Sequence, residues 1–252
     1  MSRTGSAADL PSHLNTGLDA IPTVITVTDV PGLVICTEFI NIAEVCALRQ
    51  YFEAFEMVRA FVMYYFNGYT MQRRDMGPEG MQAEGDAALG DRLNQVMQMP
   101  LEIQDLISTL NPRTVAAFGD GASSPLAQQA VQMTQIRPHS PLSLHFDHRS
   151  KWGPIILSVV WGAVEAADPR GEQWVLRLSK NGAGAAPDLE HEFVLPPGCA
   201  YIISGKARGY HTDCDARTDN HGNCTCCYRH GVRCVDGAGS DRQSITLRRF
   251  DM

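Results

Sequence analysis

From about residue 130 onward the chain reads as one short strand after another, and this run restricts the fold more than any other feature of it. The segments 131–137, 142–147, 154–162, 172–179, 190–195, 199–204, 228–234 and 243–250 are the strand candidates. Their β-branched and aromatic residues suit a pleated, half-buried surface. Between them lie Pro169-Arg170-Gly171, Asn181-Gly182 and Pro196-Pro197-Gly198, where proline presets φ and glycine accepts the positive φ of a tight turn. Strands this short must pair to bury anything. Helical segments followed by about eight such strands predict an α+β chain, a β-sandwich or open barrel backed by helices. The sequence has no internal repeat.

The first half is mixed. Residues 1–20 carry no periodicity and read as a disordered lead-in, leaving 21–252 as one domain of ordinary size. The stretch 21–40, IPTVITVTDVPGLVICTEFI, predicts short strands broken at Pro31-Gly32. Asn41 is placed to cap a helix running to about Phe55, with Ile42, Val45, Leu48 and Phe52 on one face. VRAFVMYYF at 58–66 predicts a strand entering a turn at Asn67-Gly68. Residues 71–98 show little pattern beyond a short helix near 90–98, and read as a long connection of the kind that carries function. LEIQDLISTL at 101–110 follows Pro100 and predicts an amphipathic helix, and 119–125 predicts a loop.

Composition excludes some functions. No apolar run approaches the roughly 20 residues that cross a bilayer, and the N-terminal segment lacks the apolar core of a secretory signal. A formal charge of -7 argues against a broad nucleic-acid footprint, which needs a basic surface. Arg73-Arg74 and the basic residues from Arg229 to Arg249 leave room for a local one. Five of the eight cysteines (Cys214, Cys224, Cys226, Cys227 and Cys234) fall in one short segment. Without a secretory signal, that clustering favours a metal site over disulfides and a reducing compartment, cytosol or nucleus.

Three segments carry chemistry. In His145-Phe146-Asp147 the outer two residues point to the same side of a strand, so both reach one metal while Phe146 faces the core. One imidazole and one carboxylate make two-thirds of the facial triad that holds non-haem Fe(II); taken alone, the pair is also what a polar strand end looks like. In the segment 242–248, Arg242, Ser244, Thr246 and Arg248 share one strand face and Ile245 and Leu247 the other. Two guanidinium groups on a buried face need an anion, and a dicarboxylate matches them in bidentate fashion. The competing reading is an exposed edge strand with surface arginines. The third segment is Tyr228-Arg229-His230-Gly231-Val232, which places a histidine shortly before the arginine strand.

In this order the segments resemble the AlkB family of oxidative demethylases, over about residues 30 to 250. PGLVICTEFI, FNGYTM (66–71), MPLEIQDLISTL, IRPHSPLSLHFDH (136–148), GPIILSVVWG (153–162), LPPGCAYIISGKARGY (195–210), RHGVR and RQSITLRRF carry the likeness. The resemblance implies a double-stranded β-helix (jelly-roll) core and an enzyme that uses Fe(II) and 2-oxoglutarate. It implies oxidative removal of N-methyl groups from DNA or RNA bases, with release of formaldehyde and succinate. Carried over, His145, Asp147 and His230 would hold iron, with His211 the rival for the last position. Arg242, with Ser244, would take the distal carboxylate of 2-oxoglutarate, and Arg248 would lie by the chelating carboxylate or beside Asp147. Where the family has an asparagine and a tyrosine, this chain has Thr134 and Ile136, which leaves the co-substrate fewer hydrogen bonds. Tyr69, Arg73 and Arg74 would belong to a substrate lid. The same chemistry on a protein side chain is the alternative. So is a non-catalytic zinc-bearing interaction module. A monomer is expected.

Between ARGY and YRHGVR the chain inserts HTDCDARTDNHGNCTCC at 211–227. Short-spaced nitrogen and sulfur donors are what tetrahedral zinc requires. The expected zinc ligands are His211, Cys214, Cys224 and Cys227, with His221 or Cys226 as substitutes. The competing reading is a polar loop with free thiols. His139, His148 and His191 read as surface or supporting groups.

Overall fold

The computed structural model describes residues 24–53, 61–67, 70–76, 96–97, 108–110, 112–114, 117–118, 129–136, 141–147, 152–161, 174–181, 188–209, 225–235 and 242–250. Every strand pairing among them is antiparallel, and helices are few. In chain order the elements are β1 (Val24–Thr26), β2 (Leu33–Cys36), α1 (Ile42–Glu53), β3 (Phe61–Asn67), β4 (Thr70–Met76) and β5 (Val96–Met97). There follow β6 (Gln129–Ile136), β7 (Leu142–His145), β8 (Trp152–Trp161), β9 (Trp174–Lys180) and β10 (Leu189–Val194). The last are β11 (Ala200–Ser204), α2 (Gly205–Arg208), β12 (Arg229–Cys234) and β13 (Arg242–Phe250). They form a nine-stranded sheet, β1-β2-β11-β8-β13-β6-β3-β4-β5, and a four-stranded one, β10-β9-β12-β7.

The two sheets close over one apolar core. Ile35, Ile136, Ile156, Val160, Tyr201 and Ile203 come to it from the larger sheet, and Trp174, Leu176, Leu178, Val232 and Cys234 from the smaller. Each fully buried aliphatic side chain contributes about 1.5–3 kcal/mol, which sets the register: a one-residue slip would turn all of them outward. The other face of the smaller sheet carries ion pairs instead. Arg177 meets Glu190 and Glu192, Arg233 meets Glu192, and Arg229 meets Asp188. These exposed pairs add little energy but keep that face in water.

Helix α1 starts where Asn41 predicts. Asn41 Oδ1 accepts from the Glu44 amide at 3.0 Å, and Glu44 Oε2 accepts from the Asn41 amide at 2.8 Å, a reciprocal capping box. Arg113 holds the same carboxylate through both terminal nitrogens. Val45 and Leu48 are buried as expected, but Ile42 is 57% exposed. At about 100° per residue, Ile42 lies roughly 120° from Leu48 around the helix; Glu44 takes the buried place because Arg113 neutralises it.

The strand run is as predicted to within a few residues, and Pro31-Gly32 does turn β1 into β2, with Gly32 at φ 94°. Two expectations need correction. Residues 70–76 form β4, paired along its length with β3, and β5 lies where a short helix was expected near 90–98. TMQRRDM has almost no apolar alternation, so hydrophobic periodicity could not reveal a strand built on β3's backbone donors. Of the expected 101–110 helix, 108–110 are helical and the rest lies outside the described residues. Among the described residues, no helix is long and apolar enough to cross a membrane.

Candidate metal centre

His145 ends β7 and stands directly opposite His230 of β12. Their ring centroids are 4.5 Å apart. Asp147 follows two residues later, on the same side as His145, and is buried. One donor atom from each of the three residues lies within 4.8 Å of the other two, and this is the one such group of three found among the described residues. Among the described residues His230 completes the group; His211, its rival, lies outside them.

His145 and Asp147 are in the protonation states a cation needs. His145 Nδ1 donates to the Ser143 carbonyl at 2.8 Å, which leaves the lone pair on Nε2. Burial, and next its neighbour His230, push His145 down to about 4, so its ring is neutral near pH 7. Burial alone would raise Asp147, but Arg248 and then His230 outweigh it and hold the carboxyl well below its ordinary range. Asp147 Oδ2 lies 3.1 Å from His230 Nε2 yet has no hydrogen bond among the described residues. Two neighbouring corners of an octahedron with bonds of about 2.1 Å are about 3.0 Å apart. The residues fit a divalent cation of the non-haem iron type.

Phe146 departs from expectation. It packs not into the main core but against Cys226 and Cys227 in a small separate cluster. Because His145 and Asp147 point between the sheets, the residue between them must face the other way. There it also meets Gly209 (φ 76°), where an added Cβ would lie 2.4 Å from the Phe146 ring.

The arginine strand is not an edge. β13 lies between β8 and β6 near the middle of the larger sheet. Ser244, Thr246 and Arg248 stand opposite Thr134, Gln132 and Ala130 on one side and Val160, Ser158 and Ile156 on the other. Arg242 stands opposite Ile136. Ile136, Ile156 and Val160 belong to the core, so this row faces the smaller sheet. Arg248 donates to Asp147 Oδ1 at 3.1 Å, as one of the two expected placements has it.

Arg242 is buried and donates from Nη1 to Ser244 Oγ at 2.9 Å, while its Nε and Nη2 have no partner among the described residues. Cys199 is close enough to feel the Arg242 charge, but burial pushes its thiol up to about 12. It stays neutral and cannot serve as the counter-anion. Thr134 and Ile136 are both buried. Neither Cys199 nor Ser158, whose hydroxyl lies 3.0 Å from that of Thr246, stood out in the sequence; only pairing register brings them to this row.

The remaining expectations are partly covered. In register Arg74 stands opposite Met63, which stands opposite Gln132, in the row of Thr246. Arg73 belongs to the neighbouring row through Tyr64 and Val131. Tyr69, Cys214, His221 and Cys224 lie outside the described residues, as do His139 and His148. His191 stacks on Phe193 and meets Tyr228 edge-on, a packing role.

No family model matches the chain, and no curated protein matches it. Among solved structures it is similar to an oxidoreductase of the 2OG-Fe(II) oxygenase family from Burkholderia pseudomallei. The identity is 15% and the TM-score 0.42, over 86% of this chain and 83% of that one. It is also similar to a Pseudomonas putida prolyl-4-hydroxylase, at 14% identity and a TM-score of 0.40, over 87% and 93% of the two chains. At these TM-scores the likenesses carry no argument. The chemistry rests on the side chains above.

Proposed function

We propose that the chain is an Fe(II)- and 2-oxoglutarate-dependent dioxygenase with a jelly-roll core, of the AlkB-like kind, acting on an N-methylated base in DNA or RNA. The observation that carries the reading is the pairing of two sites on facing sheets. A His145–Asp147–His230 group lies against Arg248, and a buried guanidinium with unsatisfied nitrogens lies six residues along the same strand face at Arg242.

His145, Asp147 and His230 would hold the iron, three protein ligands leaving other positions open. When bound, iron supplies the oxidising chemistry that couples decarboxylation of 2-oxoglutarate to hydroxylation of a substrate C–H bond, and on an N-methyl carbon that hydroxylation ends in loss of formaldehyde. Arg248 keeps Asp147 ionised and oriented. Arg242 receives the distal carboxylate of 2-oxoglutarate, with Ser244 fixing the guanidinium, since a buried arginine is stable only beside an anion. The β3–β4 hairpin, carrying Arg73 and Arg74, extends the same sheet and would meet phosphate at its rim. The base would have to leave its stack to reach the metal.

Succinate formation from 2-oxoglutarate with Fe(II), across panels of methylated nucleic acids and methylated peptides, tests the reading. Turnover stimulated by a methylated nucleic acid and abolished in Asp147→Ala is the expected result. Stimulation by peptides alone would move the substrate to protein. No turnover with any panel, and partner binding that survives Asp147→Ala, would make the chain a non-catalytic module.

A further inference from the structure

We propose that Tyr228 is a positioning residue of the metal centre, anchoring the start of β12 to the opposite sheet so that His230 meets the cation at a fixed angle. The inference rests on the reading of His230 as a metal ligand. The two histidines of the centre are held differently. His145 is oriented through its own ring, whose Nδ1 donates to the Ser143 carbonyl at 2.8 Å. His230 turns Nε2 toward Asp147, and its buried Nδ1 has no hydrogen bond among the described residues. A metal-bound imidazole is ordinarily aimed by the group to which its second nitrogen donates. His230 must take its aim from its backbone instead. The ladder on the β7 side guides it poorly, because the register shifts between His230 and Val232.

Tyr228 supplies what that ladder lacks. It stands two residues before His230, at the entry to β12, and is buried in the core between the sheets. Its hydroxyl donates to the Asp29 carbonyl at 3.2 Å, in the turn that joins β1 and β2. That turn is itself tied down: the Ser204 amide donates to the Gly32 carbonyl at 2.8 Å and the Ala207 amide to the Pro31 carbonyl at 3.1 Å. The Tyr228 amide donates to the Lys206 carbonyl at 2.9 Å, so α2 holds both the turn and the backbone of Tyr228. The ring is enclosed as well. His191 meets it edge-on with centroids 5.8 Å apart, and Lys180 Nζ lies 5.4 Å from its centroid, where the quadrupole of the ring attracts a cation. Backbone, ring and hydroxyl of Tyr228 are all fixed, and the short span to His230 carries that constraint to the ligand.

Titration of the full-length, metal-free protein with Co(II) provides the test. Tyr228→Phe keeps the ring and loses the bond to Asp29. Its Co(II) affinity should fall about tenfold, as when a group supporting a metal ligand is removed, and its visible ligand-field absorption should change shape. Leu195→Ala, a core truncation beside Trp174 at the other end of β9, should melt at a lower temperature yet keep the wild-type affinity and spectrum. Wild-type affinity and spectrum in Tyr228→Phe would overturn the proposal. An equal loss of affinity in Leu195→Ala would overturn it too, by reducing the effect to stability. Should Tyr228→Phe not fold, Lys180→Met takes its place, with a smaller loss of affinity expected and an unchanged affinity overturning the proposal. Failure of the metal reading shows separately, as a His230→Ala protein that binds Co(II) as tightly as the wild type.

Discussion

Arg248, on β13 of the larger sheet, donates from Nη2 to Oδ1 of Asp147, beside β7 of the smaller sheet, across 3.1 Å. This bond links the two sheets and orients the carboxylate of the metal centre.

Replacing Arg248 by Met leaves Asp147 buried without its main counter-charge. Breaking such a pair from one side costs about 3–5 kcal/mol. Urea unfolding of the metal-free Arg248→Met protein should show a loss of that order. Added divalent metal should restore part of it, since a cation that binds only the folded state stabilises it. A loss below about 1 kcal/mol, the range of an exposed pair, would show that the two residues are not coupled.

The same pair gives the metal-free protein a pH dependence of known sign. Asp147 is held well below its ordinary value of 3.8, so folding favours its ionised form. That stabilisation is complete above the ordinary carboxylate range and is lost as pH falls through the depressed native value. Thermal melts of the metal-free wild type should therefore fall in acid more steeply than those of Asp147→Asn. Parallel curves would remove Asp147 from the account.

Gly231 has a reason to lack a side chain. An added Cβ would lie 2.5 Å from the Leu142 carbonyl oxygen and 3.0 Å from the Ser143 carbonyl, where the β12–β7 ladder shifts register. Gly231→Ala must push β7 outward, carrying His145 and the carbonyl that orients it. We expect a destabilisation of about 1–3 kcal/mol together with weaker metal binding, measured by titration with Co(II). Unchanged affinity would mean that β7 yields without moving His145.

Arg242→Met separates co-substrate from metal. The variant should weaken 2-oxoglutarate binding by about 2–5 kcal/mol, the cost of removing one partner of a buried charge pair. Metal affinity should be unchanged, because six strand residues place Arg242 about 20 Å of backbone from Arg248. Without co-substrate the variant should be no less stable than the wild type. A clear loss of stability in that state would mean that Arg242 already has an internal anion.

Much of the site was legible because its chemistry follows strand parity. His145 with Asp147, and Arg242 with Ser244 and Arg248, share faces at spacings of two, and the structure keeps them so. Apolar alternation also located most strands of the second half. It failed at β4, where polar residues on both sides left no alternation to detect, and at Ile42, where helical angle outweighs hydrophobicity. Phe146 was correctly turned away from the metal but misjudged as core, because its neighbours Cys227 and Gly209 are 81 and 63 residues distant in sequence.

The run of short strands by itself determined an antiparallel β architecture, since such segments have no other way to satisfy their backbone and bury their apolar faces. The sequence put His230 forward, but only the pairing of β12 with β7 sets its ring opposite His145. Tertiary structure likewise made the arginine row interior, by placing β13 between β8 and β6 with that row turned toward the smaller sheet. Periodicity shows which residues share a face. It does not show what that face meets, because this depends on strand order, which long-range pairing decides.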